Sequence, residues 1–525
     1  MLKLDSQLKI SEYRNLYDII ISQDHILRKI KDNIDFSFVN PMLKKSYCET
    51  FGRPAKEPEM MFKLLFLKKL YDSSDEVLIQ NANVNMAYKY FLDLDPEDGL
   101  VDSSLLTKFR KLRITDDILE EMLCETIRQA IEKGLIKSRA IIVDATHTKA
   151  SAKKETPTQI LRRLTKELRK EIYRTQLELS DRFPEKPVET ADLSDEIEYS
   201  KQLLESVRSA VDEFGTARSK KLLAKVSDLL KNDKIKDIQS AVDEDAKMGY
   251  KSEDNSFFGY KTHIAMTEER IITGIEVTTG EAPDGPELVS LIEKSVANGI
   301  EVKEVIGDTA YSGSDNLKYA EENKIAIIAK LNPIISSGIG RKREGFEYNK
   351  DADMYQCPAG HLALRKSKEE RSKTSKKSNT NDRMIYYFDT KKCRVCPLRD
   401  GCYKDGARAK RYSVTIHSDM HDKQMEFEES DFFKERSRER YKIEAKNAES
   451  KQIHGLDTAD SVGVKAMRIQ SYFTAFTANI KRIVKLNEAV MATKDLSLSA
   501  SILFSRLCNT FIAYRNFSLL LSKIV

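Results

Sequence analysis

The sequence predicts a mixed α/β fold, with helical segments at both ends of the chain and a sheet between them. Three observations support this prediction. Apolar residues recur at helical spacing within residues 1–130, short β-branched runs follow at 138–150 and within 255–330, and helical runs return after 436. The middle of the chain reads strand, strand, strand, helix, strand, helix, strand, which is the pattern of a mixed sheet covered by helices.

Composition limits the class of protein. The chain has 525 residues, of which 40% are hydrophobic and 33% charged, and a chain of this length forms roughly two to four domains. Eighty-eight Lys and Arg residues against 83 Asp and Glu residues leave a net charge of +5, which neither requires nor excludes a nucleic-acid partner. The start lacks the apolar core of a secretory signal, and no apolar run reaches the about 20 residues of a membrane span. We therefore expect a cytoplasmic protein without a membrane partner.

Residues 1–130 are predicted to form a helical domain. Pro58 opens an amphipathic run, Ser74 is a suitable N-cap for a helix over 75–91, and a short basic helix follows at 104–113. The basic residues of that short helix are expected to face outward: Lys108, Arg110, Lys111 and Arg113. Short helices ending in a basic one fit a helix-turn-helix-like module on DNA, and an ordinary bundle with a solvated basic face fits equally well.

In the sequence, the predicted strands come before and after a charged insertion. RAIIVDATHTKA, at 139–150, is a β-branched run that ends in polar residues, which is typical of a buried strand. Residues 151–244 carry helical runs with balanced acidic and basic residues, and we interpret them as a solvated helical hairpin rather than a DNA-binding arm. Beyond this insertion, 257–267 and 270–280 are predicted to form a β-hairpin.

Three acidic residues occur where a metal site could form. Asp144 and Asp308 each follow a predicted buried strand, where a carboxylate is costly unless it is paired or binds a metal. Glu444 lies in a helical segment and is predicted to share one helix face with cationic residues: Arg440, Lys451 and His454. Such acids could hold two divalent cations that activate water or a 3′-hydroxyl and stabilise the leaving oxygen of a phosphodiester. Taken alone, each acid is more often a turn residue or half of a surface ion pair.

The spacing on this helix resembles that of a known family. Arg440, Glu444 and Lys451 match the last three positions of the signature Y-(2)-R-(3)-E-(6)-K, which marks one branch of the DDE-type bacterial insertion-sequence transposases. The tyrosine position of the signature is Ser437 in this chain. The departure affects a tyrosine contact and leaves the acidic position intact.

Other segments extend the resemblance. IIVDATHTKA is similar to the family's first-aspartate strand, and VIGDTAYSGSDN is similar to its second-aspartate strand. VTTGEAPDGPEL resembles a loop usually written with His-Asp, in which Pro283 replaces the histidine and Asp284 is retained. The N-terminal helical segment resembles the domain that precedes the catalytic core. Together the similar segments cover well over half of the chain: 51–113, 138–150, 240–330 and 355–485.

The resemblance implies a ribonuclease H-like core and a function. In such a core the strand of the first aspartate lies beside the strand of the second. The implied enzyme is a DNA transposase in which Asp144, Asp308 and Glu444 hold two Mg²⁺ or Mn²⁺ ions and DNA is cut and joined. The implied partners are double-stranded DNA, as terminal inverted repeats and as target, and a second copy of the chain on paired ends, in the bacterial nucleoid. The expected DNA contacts come from two helices: Arg440, Lys451, Lys108, Arg110 and Lys111.

These inferences divide the chain into five regions. The helical region is the expected DNA-end-binding domain, and the core is split by the charged insertion. A Cys-rich insertion precedes the C-terminal helices that complete the core. The predicted bounds are 1–130 for the helical domain, 131–150 with 245–330 for the core, 151–244 for the charged insertion, 331–436 for the Cys-rich insertion and 437–525 for the C-terminal helices.

Four of the seven cysteines cluster between 357 and 402, which in a chain without an export signal favours metal binding over disulfides. The cluster consists of Cys357, Cys393, Cys396 and Cys402. The ligand count fits one structural Zn²⁺, although the interval after Cys396 is longer than the usual second C-x2-C, and His361 could replace one sulfur. Four free thiols are the alternative.

Two other functions fit the same motifs. A metal-dependent nuclease on the same fold would hydrolyse DNA without joining it. A catalytically idle DNA-binding protein derived from a transposase would keep the fold, but a binding role would not require three acids.

Overall fold

The computed structural model describes most of the chain, and side chains are described as far as residue 493. The described backbone comprises residues 11–48, 54–188, 190–231, 235–250, 255–332, 345–349, 352–369, 383–404, 406–415 and 419–521.

The N-terminal region is helical, as predicted. Its helices, α1 to α8, span Leu16–Ile20, Ile26–Asn33, Val39–Lys44, Pro58–Leu70, Asp75–Val84, Met86–Phe91, Ser104–Arg113 and Asp116–Glu132. Ser74 caps α5 by accepting a hydrogen bond from the Val77 amide, which confirms the predicted N-cap. The single helix predicted over 75–91 is wrong. Asn85 has an extended backbone and its side chain accepts from two amides of the next turn, so a second helix begins there.

The basic helix α7 does not present all of its cations to solvent. Lys108 and Lys111 are exposed, as predicted. Arg110 instead pairs with Asp75, with Nη1 3.0 Å from Oδ1, and Arg113 donates to the Ser46 carbonyl and lies over the Tyr47 ring. The prediction that Arg110 and Arg113 face outward is wrong, because both guanidinium groups link α7 to neighbouring segments.

The charged insertion forms three helices rather than the predicted hairpin. Helices α9 to α11 span Pro157–Thr175, Leu193–Phe214 and Ala217–Lys231. Thr156 and Asp192 begin the first two with reciprocal capping hydrogen bonds. The helices enclose an apolar cluster of their own, which includes Leu168, Leu203 and Val226. Charged residues cover the outside of a bundle that has a separate core.

The central sheet is mixed. Its strands, β1 to β6, span Ala140–Lys149, Lys247–Tyr250, Ser256–Thr267, Ile272–Thr279, Glu304–Ile306 and Ala326–Ile328. Strand β3 pairs with β1 along one edge and with β2 and β4 along the other, all antiparallel, so the predicted hairpin is confirmed. Strand β1 pairs in parallel with β5, and β5 pairs in parallel with β6. The short strand β2 was not predicted. The crossover helices α12 (Leu288–Ala297) and α13 (Ser314–Asn323) precede the two parallel strands.

The Cys-rich region contains two small sheets. Strands β7 (Glu347–Asn349) and β8 (Met354–Gln356) form a hairpin. Strand β10 (Arg383–Phe388) pairs antiparallel with β9 (Arg365–Glu369) and β11 (Lys410–Thr415), and the short helix α14 (Thr390–Arg394) follows β10. An apolar cluster that includes Tyr386, Phe388 and Tyr412 lies beneath this sheet, apart from the main core.

Residues 419–436, assigned by prediction to the Cys-rich insertion, pack against the main sheet. They form α15 (Asp419–Glu429) and α16 (Asp431–Arg436). The Gln424 amide donates to two carbonyls beside β6, and Arg436 pairs with Glu304 at the start of β5. This segment therefore connects the insertion to the core.

The C-terminal helices complete the main core. Helix α17 spans Tyr441–Gln452 and α18 spans Val464–Leu521, whose packing beyond residue 493 lies outside the described side chains. Phe473 and Phe476 of α18 lie 5.1 and 5.4 Å from the Phe62 ring of α4, and Asn479 exchanges two hydrogen bonds with Ile272 of β4. One continuous apolar core therefore joins the N-terminal helices, the sheet and α18. No helix in the described ranges has both the length and the apolar character needed to cross a membrane.

The separate core of the α9–α11 bundle leads to a stability prediction. Leu168→Ala should destabilise this bundle by about 2–5 kcal/mol, because it removes a fully buried side chain. Hydrogen exchange of the full chain should accelerate in α9 to α11 and remain slow in β1 and β3. The matched variant Leu291→Ala, in the main core, should accelerate exchange in the sheet instead. Equal acceleration in both regions by Leu168→Ala would show that the two cores unfold together.

Candidate active site

The parallel pairing of β1 with β5 brings two predicted acids together. Ile142 of β1 is paired with Ile306, the last residue of β5; Asp144 lies two residues further along β1, and Asp308 lies two residues beyond the end of β5. Side chains two residues apart point to the same face of a sheet. Asp308 also caps the following turn, with Oδ1 2.9 Å from the Ala310 amide. The carboxylates therefore meet at one edge of the sheet.

Asp144 is in an unfavourable position for a charge. Burial first, and then the nearby carboxylates of Asp308 and Asp284, raise the pKa of its carboxyl to about 6, although the hydrogen bond from the Ala145 amide and the charge of Arg440 act in the opposite direction. A carboxyl with a raised pKa beside a second acid is a frequent property of functional sites.

Helix α17 crosses this edge and contacts Asp144 directly. Ile443 is fully buried, and Asn447 and Ser450 continue the buried face. The Asn447 side-chain amide donates from Nδ2 to Asp144 Oδ2 at 2.9 Å. The predicted acidic helix therefore lies against the first-aspartate strand.

Glu444 is not in contact with the two aspartates. Its side chain is 59% exposed, and Arg440 pairs with it at 3.5 Å from the turn that precedes α17. Within the described residues no group of three or more His, Cys, Asp or Glu side chains is arranged to hold a metal ion. The structure brings Asp144 and Asp308 near each other, and Glu444 lies about one helical turn before Asn447, the residue of α17 that contacts Asp144.

The predicted common face of α17 is only partly present. Lys451 lies half-buried, with Nζ 3.2 Å from the His147 ring of β1. His454 lies beyond the end of the helix and is fully buried, with Nδ1 2.8 Å from the Lys69 carbonyl and Nε2 3.2 Å from Lys481. The prediction that His454 shares the face of Glu444 is wrong, because the helix ends at Gln452.

Further polar residues surround the two aspartates. Asp284 accepts from Lys261 at 2.8 Å, and the fully buried His263 lies 3.9 Å from the same carboxylate. Burial lowers the pKa of His263 to about 4, so the ring is neutral near pH 7. The hydroxyl of Tyr311 is buried and has no hydrogen-bond partner among the described residues. Burial first, then Asp284, Asp144 and Asp308, raise its pKa well above the ordinary value.

Sequence reasoning named Asp284 only as the retained residue of a motif, gave Tyr311 either a DNA contact or a packing role, and missed Asn447. The retained aspartate of the VTTGEAPDGPEL loop was a usable signal for Asp284. Asn447 had no comparable signal, because its importance depends on how α17 docks on β1.

The four clustered cysteines line one cavity. Cys357, Cys393, Cys396 and Cys402 are free thiols, each half-buried, and with His361 they border a cavity of about 280 Å³. Burial raises the pKa of the Cys393 thiol, and the other three sulfurs add to this effect because they are neighbours. The fold thus gathers the predicted cysteines around a common space.

Comparisons with known proteins match two segments of the chain. The family described as Transposase domain (DUF772) matches residues 14–112, and the family described as Transposase DDE domain matches residues 356–484. An uncharacterized protein, ORF8 in the nfe locus of Rhizobium meliloti, is 26% identical over 131 residues, which are 25% of this chain and 62% of that protein. The chain therefore spans less than two thirds of the length of this curated relative. Helix α17 and the four cysteines lie inside the second matched family segment, and Asp144 and Asp308 lie between the two.

The raised pKa of Asp144 predicts a pH-dependent effect of its replacement. The folded carboxyl titrates near pH 6 and the free one near 3.8, so the stability that this group contributes is present below about pH 4 and is lost as the pH rises through 6. Asp144→Asn avoids that loss and should raise the free energy of unfolding above pH 6 by about 1–3 kcal/mol.

Urea unfolding with a chelator, at about pH 4 and about pH 8, would measure this difference. The control Asp181→Asn, at an exposed position after α9, should change neither value. An equal effect of Asp144→Asn at both pH values would contradict the explanation.

Proposed function

We propose, from the premise that the chain carries the two domains of a DDE-type insertion-sequence transposase, that it cuts and joins DNA at the ends of such an element. The observation that supports this most directly is the pair Asp144 and Asp308, which lie two residues beyond the paired residues Ile142 and Ile306 of the parallel strands β1 and β5. A helix that carries the acidic position of the family signature crosses the same edge. Two-metal phosphodiester chemistry needs this combination of acids.

The strand arrangement supports a ribonuclease H-like core. Three antiparallel strands in the order β4, β3, β1 are followed by two parallel strands, β5 and β6. The first aspartate follows the buried half of the central strand β1, and the second follows its parallel neighbour. This agrees with the adjacency that the family resemblance implies.

The donor set suits two hard divalent cations, Mg²⁺ or Mn²⁺. Carboxylate oxygens are their preferred protein ligands, and Asp144, Asp308 and Glu444 would hold them. Bound there, the ions would activate the attacking oxygen and stabilise the leaving one. Unpartnered buried polar atoms near Asp144, the Tyr311 hydroxyl and Asn447 Oδ1, favour a site that receives further groups.

The proposed DNA contacts come from cations around this site and on α7. Arg440 is 40% exposed and next to Glu444, where a guanidinium fork can bind a phosphate. Lys451 reaches the end of β1, and Lys108 and Lys111 project from the N-terminal helices. Arg110 would support α7 through Asp75 rather than touch DNA. The partners proposed are terminal inverted repeats, target DNA and a second copy of the chain on the paired ends, and such a protein would act at the nucleoid.

Replacement of the three acids tests the proposal. Asp144→Asn, Asp308→Asn and Glu444→Gln should each lower strand cleavage by at least about 1,000-fold, because each would remove a metal ligand. Binding to DNA that carries the repeats flanking the gene should stay within a few-fold of the parent. The assay is gel analysis of cleavage and joining with Mg²⁺ or Mn²⁺.

The matched control is Glu435→Gln, an exposed acid of α16, which should cleave normally. Parent-like cleavage by any of the three variants would remove that residue from the proposed triad. Cleavage without joining by the parent chain would identify a nuclease, and binding without cleavage would identify a catalytically idle DNA-binding protein.

We also propose one structural Zn²⁺ at the cysteine cavity. Four thiols and His361 border one cavity, and thiolate and imidazole are the ligand types that structural zinc sites use. Metal analysis of protein purified without chelator should give about one zinc per chain. Cys393→Ser should reduce that content and loosen 345–415, while Cys124→Ser, outside the cluster, should not. A zinc-free parent protein with four titratable thiols at the cavity would contradict the proposal.

A further inference from the structure

Asn447 is the side chain by which α17 contacts the acidic edge of the sheet. It is 9% exposed. Its Nδ2 donates to Asp144 Oδ2 at 2.9 Å. The neighbouring position on the same helix face, Ile443, is apolar and fully buried. Packing alone would be met by another apolar residue here, so an amide at 447 has to be explained by its polar contacts.

Half of this amide is unsatisfied. Asn447 Oδ1 is buried and has no hydrogen-bond partner among the described residues. A buried carbonyl oxygen without a partner is costly. Because Oδ1 and Nδ2 belong to one planar group, and Nδ2 touches Asp144, Oδ1 lies close to the same carboxylate. An amide oxygen is also a hard donor of the kind that Mg²⁺ and Mn²⁺ accept.

A second buried polar atom without a partner among the described residues is the hydroxyl of Tyr311, three residues after Asp308. The Tyr311 ring is 1% exposed, and its hydroxyl has no partner within the described part of the chain. The three carboxylates that act on this hydroxyl are Asp284, Asp144 and Asp308. Two buried polar atoms, one on α17 next to Asp144 and one three residues after Asp308, thus lack a partner among the described residues, whereas Glu444 is 59% exposed and paired with Arg440.

We propose that Asn447 is a positioning residue of the divalent-metal site. Its Nδ2 would fix the orientation of the Asp144 carboxylate. Its Oδ1 would bind the cation at that carboxylate, either directly or through a water molecule. The inference rests on the proposed metal site at Asp144 and adds a residue outside the three acids. It also gives α17 a link to the metal that does not depend on Glu444.

Metal binding by the full-length chain without DNA tests this role. Electron paramagnetic resonance titration with Mn²⁺ gives a dissociation constant that is independent of catalysis. Asn447→Ala should weaken Mn²⁺ binding about 10–100-fold, the usual effect of removing a group that orients a metal ligand. Asn447→Asp, which replaces the amide oxygen with a carboxylate oxygen at the same position, should bind Mn²⁺ several-fold more tightly than the parent, because the ion relieves the repulsion between two carboxylates.

The matched control is Asn298→Ala. Asn298 is 7% exposed and donates to the Thr273 carbonyl, so this variant also loses a buried amide but away from the acids. It should unfold at a lower temperature and bind Mn²⁺ like the parent. Parent-like Mn²⁺ affinity of a folded Asn447→Ala would overturn the proposal.

The outcome separates this inference from the function it rests on. If Asp144→Asn loses Mn²⁺ and Asn447→Ala does not, only the role of Asn447 fails. If Asp144→Asn binds Mn²⁺ like the parent, the metal site and the role of Asn447 fail together. If Asn447→Ala does not fold, Asn447→Asp provides the test. Mn²⁺ should raise the melting temperature of Asn447→Asp more than that of the parent, because the ion relieves the repulsion between two carboxylates. An equal or smaller rise overturns the proposal.

Discussion

The pairing of β1 between β3 and β5 is the constraint on which the rest of the site depends. Strand β1 is bonded along most of its length to β3, and its first three residues also pair with β5. Ala140 to Val143 are buried on both faces of the strand, so a shift by one residue towards the polar end would place Asp144 in a position that an apolar side chain now fills. The register is therefore fixed by the buried residues Ile141, Ile142 and Val143, and the position of Asp144 follows from it. Core packing thus holds a carboxylate where its charge is unfavourable.

The C-terminal helices connect this edge to the N-terminal region. Asn447 joins α17 to β1, and His454, just after α17, bonds to the Lys69 carbonyl at the end of α4. Rings of α18 pack on Phe62 of the same α4. The helices proposed to contact DNA ends and the helix that carries Glu444 therefore share one buried core. A movement of either would change the environment of the other.

Periodicity and turn chemistry were sufficient for most elements of the fold. The hairpin of β3 and β4, the cap at Ser74 and the long first strand depend on local sequence, and these predictions are correct. Two of the errors concern contacts between distant segments, because Arg110 pairs with Asp75 and His454 is buried against α4. The break at Asn85 is different, because a local capping signal was overlooked there. The residues of the candidate site were found from motif spacing, but only the docking of α17 on β1 reveals Asn447. That docking is set by tertiary packing, which no local pattern contains.

Arg440 has a particular place in the charge balance of the site. It pairs with Glu444 at 3.5 Å and also lowers the pKa of Asp144 against the larger effect of burial. The positive charge of Arg440 thus acts on two of the acids, Asp144 and Glu444, that the proposed ions would bind. Its Nε is buried and has no partner among the described residues. Cations bound to these acids would take over that compensation, and the guanidinium would then be available to a phosphate group. Metal binding would therefore favour DNA binding through this one side chain, because the ions would replace Arg440 at the acids and leave its guanidinium to a phosphate.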